Sequence, residues 1–194
     1  MTKLFIKPVK KRLDHNAPSK GLIEVSRIHI CSIFKIADMA RATGARSLVT
    51  LINQDIIVHR PASIAPERHL FVAISDITME TEGHVLPGES HVASLLDFVK
   101  LWDREHPLLI HCFAGVSRST AAAFISACAL NPYRDEDEIA QALRHASPTA
   151  TPNRRLVSVA DSMLKRDGRM VAAIDRIGRG EDCIEGVPFA LELN

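Results

Sequence analysis

The sequence predicts an α/β fold with a central mixed, mostly parallel sheet flanked by helices. Three observations carry this. Short apolar runs of strand length alternate with longer stretches of helical periodicity. Hydrophobic residues make up 46% of the 194, enough for one sizeable core. The apolar run Leu108–His111 is followed, after a short glycine-containing segment, by a nearly all-apolar helical stretch from Ser119, the layout of a buried strand feeding a buried helix.

Taken in order, residues 1–27 read as an N-terminal extension with a basic run (Lys3, Lys7, Lys10, Lys11, Arg12) and a turn-prone stretch through Asn16, Pro18 and Gly21. The basic run is expected to be a solvated tail. Regular structure starts at Arg27–Cys31, a short strand. Ser32 is placed to cap a helix that runs to about Thr43 and ends at Gly44. Ser47–Ile52 and His69–Ser75 are strand-like. Over Ser90–Glu105 the side chains of Val92, Leu95, Leu96, Val99 and Trp102 share one helical face, and Pro107 breaks the pattern.

After the strand Leu108–His111 and the helix Ser119–Leu130, residues Asn131 and Pro132 terminate the run. Asp135–Ala146 is an amphipathic helix with an acidic start, and Asn153–Lys165 is another that could continue past Gly168 to Ile177. The last fifteen residues look irregular. The domain is therefore drawn at 28–178, with 179–194 as a C-terminal tail. No internal repeat or low-complexity segment is present.

The bulk numbers exclude some function classes. A formal net charge of +1 gives no global electrostatic case for nucleic acid or an anionic membrane. No segment approaches the roughly 18 apolar residues of a membrane span, and the basic N-terminus lacks the apolar run of a secretion signal. Four cysteines (Cys31, Cys112, Cys128, Cys183) without CxxC pairing fit free thiols in a reducing, cytoplasmic compartment.

The informative segment is His111-Cys112-Phe113-Ala114-Gly115-Val116-Ser117-Arg118-Ser119-Thr120. The Cys–Arg spacing means little alone. With four cysteines and sixteen arginines, ~0.3 such pairs arise by chance in a chain of this length, and motif matches need context. Cys128 and Arg134 repeat the spacing, but with Asn131 and Pro132 between them and a helix before them.

At Cys112 the context is a strand, an amide-bearing loop and a helix. Phe113, Ala114, Gly115, Val116, Ser117 and Arg118 all retain backbone N–H groups, and Gly115 opens dihedrals closed to other residues. A ring of amides at a helix N-terminus is an anion site. Arg118 adds a planar fork for two phosphate oxygens. The same field stabilises negative charge on the Cys112 sulfur, making it a candidate nucleophile toward phosphorus. Ser119 is placed to donate a hydrogen bond to that sulfur when it leaves. A buried structural cysteine and a surface arginine are the bland alternative. That alternative leaves the arginine of an all-apolar helix without a partner.

These residues resemble the signature loop of the cysteine-based protein tyrosine phosphatase superfamily, His-Cys-x5-Arg-Ser/Thr, and Ala-Gly-Val-Ser-Arg-Ser is most similar to its dual-specificity branch. The resemblance spans about Ile28 to Lys165, including Ala40–Leu51 and Pro152–Asn153. It implies a phosphotyrosine phosphatase-like fold, no cofactor or metal, and two steps through a cysteinyl-phosphate. It also implies a general acid just after the strand that precedes a long loop. Asp76 holds that place, directly after His69–Ser75 and before the Gly- and Pro-containing loop Ile77–Glu89. Glu80 and Glu82 are reserves, whereas Asp97 and Asp103 fall in the amphipathic stretch. The loop lacks the Trp-Pro-Asp sequence of the receptor-type branch.

Supporting roles fall to His111, orienting the loop through a ring N–H, and to Asn53, at the end of SLVTLIN, as a loop partner or a simple turn. His84 and His91 lack companions with ligand spacing, and Arg154 and Arg155 are either a second anion contact or exposed helix-start residues.

The expected substrate is a phosphorylated protein or small phosphomonoester. Competing functions are a phosphoinositide or inositol phosphate phosphatase, a non-catalytic phosphopeptide-binding module, and a rhodanese-like sulfurtransferase. The apolar Phe113, Ala114 and Val116 disfavour the first. The intact cysteine, arginine and acid disfavour the second. Arg118 with Ser119-Thr120 disfavours the third.

Overall fold

A computed structural model of the chain describes residues 26–193. The basic N-terminal run lies outside the described residues. Among those described, five strands form one sheet: β1 (Arg27–Ser32), β2 (Ser47–Ile52), β3 (His69–Ala73), β4 (Leu108–Cys112) and β5 (Phe189–Glu192), in the order β3-β2-β4-β1-β5. β4 is central and parallel to both β1 and β2, β3 is parallel to β2, and β5 runs antiparallel to β1. The sheet is thus mixed and mostly parallel, as the sequence predicts. β2 and β4 are buried at every residue, as parallel strands covered on both faces must be.

Six α-helices cover the sheet: α1 (Ile36–Thr43), α2 (Glu89–Leu101), α3 (Arg118–Leu130), α4 (Glu136–Ala146), α5 (Arg154–Met163) and α6 (Arg169–Ile177). Side chains alternate between faces along each strand. Leu48 and Leu109 join Ile36, Ala40 and Ile64 in a small cluster beneath α1. Val49, Leu51, Leu108 and Ile110 join the main core under α2–α6. α3 passes through that core, buried at every residue from Arg118 to Cys128. Its small residues Ala121–Ala123 let it lie close against the sheet.

Several expectations are corrected in detail. Ser32 does not cap the first helix. A 3-10 turn (Ile33–Lys35) precedes α1, and Ser32 Oγ instead donates to Glu185 Oε1 (2.5 Å). α2 stops at Leu101, although Trp102 stays buried with its indole N–H on the His106 carbonyl. The stretch after Asn153 is two helices. Lys165, Asp167 and Gly168 all take positive φ, which an α-helix cannot include. The Asp161 carboxylate then accepts from the amides of Gly168 (2.7 Å), Met170 (2.8 Å) and Val171 (3.4 Å), serving the unpaired donors at the start of α6. The C-terminal residues read as irregular place β5 on the sheet edge.

Candidate active site

The site forms where β4 ends and α3 begins. β4 brings Cys112 to the carboxyl end of the sheet, where parallel α/β sheets present ligands to loops. Cys112 is buried, and its Sγ lies 3.2 Å from Ser119 Oγ and 3.3 Å from the Gly115 amide, which points at it. A hydroxyl and a backbone amide therefore converge on one sulfur. Among the described residues, the amides of Phe113, Ala114, Val116, Ser117 and Arg118 find no protein acceptor, at the N-terminus of an 11-residue buried run of helix. That combination of free donors and helix dipole binds anions.

Gly115 is required twice. Its φ of +77° suits glycine, and a Cβ there would lie 2.7 Å from the Cys31 carbonyl carbon and 2.8 Å from the Ser32 nitrogen. The loop thus turns tightly over the end of β1.

Arg118 is 5% exposed, and its guanidinium is divided. Nη1 donates to Asn53 Oδ1 (2.9 Å) and to the Ile74 carbonyl (3.0 Å), while the buried Nε has no hydrogen-bond partner. Asp76 Oδ2 stands 3.9 Å from that Nε. A buried guanidinium N–H without a partner is costly. Asn53 fixes the other arm and is itself held by Ser75 Oγ (3.4 Å).

Asp76 Oδ1 accepts from Ser117 Oγ (2.7 Å) and from Asn153 Nδ2 (2.8 Å). Asn153 is a residue whose role sequence reasoning missed. Its Oδ1 caps α5 through the Leu156 amide (3.0 Å), and its own amide donates to the Ser117 carbonyl (3.3 Å). The sequence placed Asn153 at the start of a helix, but not its side chain against Asp76. The Asp76 loop is pinched at its base, where the Ser75 amide donates to the Val85 carbonyl (2.9 Å) and the Val85 amide to Ser75 Oγ (3.2 Å). Glu80 and Glu82 lie exposed on that loop.

His111 is fully buried behind the loop. Its Nδ1 is 3.2 Å from the Cys112 carbonyl and its Nε2 is 2.7 Å from Thr50 Oγ1, which lies 2.8 Å from His69 Nε2. One proton assignment satisfies every group. His111 Nδ1–H donates to the carbonyl, Thr50 donates to His111 Nε2, and His69 Nε2–H donates to Thr50. Burial, followed by the charges of His69 and Arg118, pushes the His111 pKa down to about 4 against the pull of the Cys112 carbonyl. The ring is therefore neutral at physiological pH.

The remaining candidates are spent elsewhere. His84 Nδ1 lies 3.3 Å from Ser75 Oγ and His91 Nδ1 accepts from the Gly88 amide (3.1 Å). The Arg154 fork is taken by Asp175 (3.0 and 2.9 Å), and Arg155 Nε donates to the Pro87 carbonyl (3.1 Å). Arg134 reaches the Glu192 carbonyl, and Cys128 is buried mid-core, so that pair forms no loop.

Beside the loop opens a cleft of about 550 Å³ between residues 77–81 and 151–154, with Asp76 and Ser117 on its wall. Phe113 (48% exposed) and Phe34 (67% exposed) meet edge to face at 5.7 Å on the loop's rim.

No protein-family model and no curated protein matches the chain. Solved structures do match its architecture. The Cydia pomonella PTP-2 phosphatase shares 20% identity over 70% of this chain and 84% of its own, with a TM-score of 0.55. Human DUSP28 shares 16% identity over 72% and 92%, with a TM-score of 0.56. PTPMT1 in complex with PI(5)P shares 13% over 72% and 86%, with a TM-score of 0.53. At these identities the likeness is one of architecture. The chain shares its fold with these solved phosphatase structures.

Proposed function

We propose that the chain is a phosphomonoester hydrolase of the protein tyrosine or dual-specificity type, acting through a cysteinyl-phosphate on Cys112. The observation that carries this is the convergence of Ser119 Oγ and the Gly115 amide on the Cys112 sulfur, in a loop whose other amides have no acceptor and whose Arg118 keeps a buried Nε without a partner. The phosphate dianion sits on the amides of residues 113–118 and on Arg118, which meet its charge without a metal ion. The Cys112 thiolate attacks phosphorus as the bond to the ester oxygen breaks, and Asp76 gives its proton to that oxygen. Asp76, now a carboxylate, takes a proton from water as the water attacks phosphorus and the S–P bond breaks. Ser119 Oγ–H and the Gly115 N–H receive the departing thiolate.

The rim favours an aromatic ester. Phe113 and Phe34 offer apolar edges to a ring, as in phosphotyrosine, within a protein or a small molecule. A phosphoinositide reading has PTPMT1, solved with PI(5)P, as its support. The apolar Phe113, Ala114 and Val116 supply no cation for a second phosphate, which favours the phosphotyrosine class. The buried thiols Cys31 and Cys128 fit a reducing, cytoplasmic setting. No helix among the described residues is long and apolar enough to cross a membrane.

The test is turnover of p-nitrophenyl phosphate in a chelator. Wild type is expected to be active, and Cys112→Ser inactive. Asp76→Asn should lose roughly 10²–10⁴ in rate on esters with poor leaving groups. Turnover that survives Cys112→Ser would sink the mechanism, and unchanged rates in Asp76→Asn would sink the acid assignment. A side-by-side panel of phosphopeptides and phosphoinositides separates the two substrate readings.

A further inference from the structure

A loop that turns its amides toward an anion must turn its carbonyls outward, and buried carbonyls need donors of their own. The outward carbonyls draw their donors from several parts of the chain. The Cys112 carbonyl faces His111 Nδ1 (3.2 Å). The Phe113 carbonyl accepts from the Ile33 amide (3.1 Å), after β1. The Val116 and Ser117 carbonyls accept from the amides of Thr151 (2.9 Å) and Asn153 (3.3 Å), before α5. The Ala114 carbonyl accepts from the Gly186 amide (2.9 Å). That last donor comes from the C-terminal segment, beyond the stretch that resembles the phosphatases.

The segment is built to fit there. The Glu185 carboxylate accepts from Ser32 Oγ (2.5 Å), and Ser32 is the register partner of Cys112 in the sheet and packs under Gly115. A Cβ on Gly186 would sit 3.2 Å from the Gly115 carbonyl oxygen and 3.3 Å from Val116 Cγ2, so glycine allows the backbone to come this close. Upstream, the amides of Gly180 and Glu181 donate to Thr151 Oγ1 (3.0 Å) and the Pro148 carbonyl (3.0 Å). Downstream, β5 anchors the segment on β1. Residues 180–187 therefore touch both the loop and the 148–151 segment that braces it.

We infer that residues 180–187 are a strap that completes the anion site, with Glu185 and Gly186 as positioning residues that hold the Ala114–Val116 backbone in its amide-inward conformation. The inference rests on reading residues 113–118 as the phosphate site. The catalytic unit then extends to β5 and does not end at residue 178.

The test uses the full chain with Glu185→Ala, Glu185→Gln and Gly186→Pro. Amide hydrogen exchange over 113–117, inhibition of p-nitrophenyl phosphate turnover by inorganic phosphate, and Tm are followed. Losing one strap contact should speed loop exchange and weaken phosphate binding about tenfold, the worth of one hydrogen bond. Exchange in β4 and α3 should not change. Glu185→Gln keeps an acceptor for Ser32 and should behave as wild type. Unchanged loop exchange and phosphate binding in Glu185→Ala and Gly186→Pro would overturn the strap. So would a loss spread evenly over the whole molecule, or a Glu185→Gln as defective as Glu185→Ala. A wild type that neither turns over substrate nor binds phosphate contradicts the phosphatase reading instead, and the exchange comparison still decides the strap.

Discussion

At the scale of single residues, the site depends on groups whose burial fixes their protonation. Folded His111 takes up its proton only at about 4, against 6.5 for the free ring. Between those values the unfolded chain holds more protons than the folded one. Stability contributed by this group is therefore full above about 6.5 and is lost as pH falls toward 4, by about 3 kcal/mol. Tm measured from pH 7 down to 4.5 should fall more steeply in wild type than in His111→Asn, and parallel curves would contradict the account. Burial likewise pushes the thiols of Cys31 and Cys128 up to about 12, with the neighbouring Cys112 and Glu185 adding to the rise at Cys31. Both should resist iodoacetamide at pH 7.5 in the native protein. Mass spectrometry of labelled peptides checks this, with exposed Cys183 as the internal positive. Gly115→Ala should abolish phosphate binding, because its Cβ would overlap the backbone of Cys31 and Ser32.

At the scale of elements, the strand–loop–helix unit was readable because everything in it is local. Apolar β4, the glycine-bearing turn and apolar α3 are contiguous, so Cys112, Arg118 and Ser119 could be named with the loop amides. Partners from distant elements were not readable. Asn153 meets Asp76 across 77 positions and Thr50 meets His111 across 61, and neither pairing leaves a periodic trace. Asn153 offers a way to separate its two jobs. Asn153→Ala removes the α5 cap and should cost about 1 kcal/mol of stability, seen as a lowered Tm, together with slowed turnover. Asn153→Asp keeps a capping oxygen but removes the donor to Asp76. It should retain most of the Tm while kcat falls by about tenfold or more, the weight of one charge-assisted hydrogen bond. Equal kcat in wild type and Asn153→Asp would show that Asp76 needs no such brace.

At the scale of the whole molecule, the mostly parallel sheet and its two-sided cover follow from the alternation of strands and helices, and that was visible in the sequence, whereas the strand order was not. Nor was the C-terminal strand. Phe189–Glu192 is four residues long after a glycine-containing stretch, too short for a period-2 pattern to stand out. It gains its hydrogen bonds from β1, whose sequence is some 160 residues earlier, in the sense that Arg27 pairs with Glu192. The same distance hid the contact between Ser32 and Glu185, 153 positions apart. The chain closes on itself around the loop, so its first described strand and its last one meet behind the candidate nucleophile.

The central claim is that phosphate passes through the sulfur of Cys112. It is tested most directly by acid-quenching the protein during turnover of p-nitrophenyl phosphate and analysing its peptides by mass. One phosphoryl group is expected on the peptide carrying Cys112, and none in Cys112→Ser. A phosphoryl group on another residue, or turnover with none on Cys112 under conditions that trap it in Asp76→Asn, would contradict it.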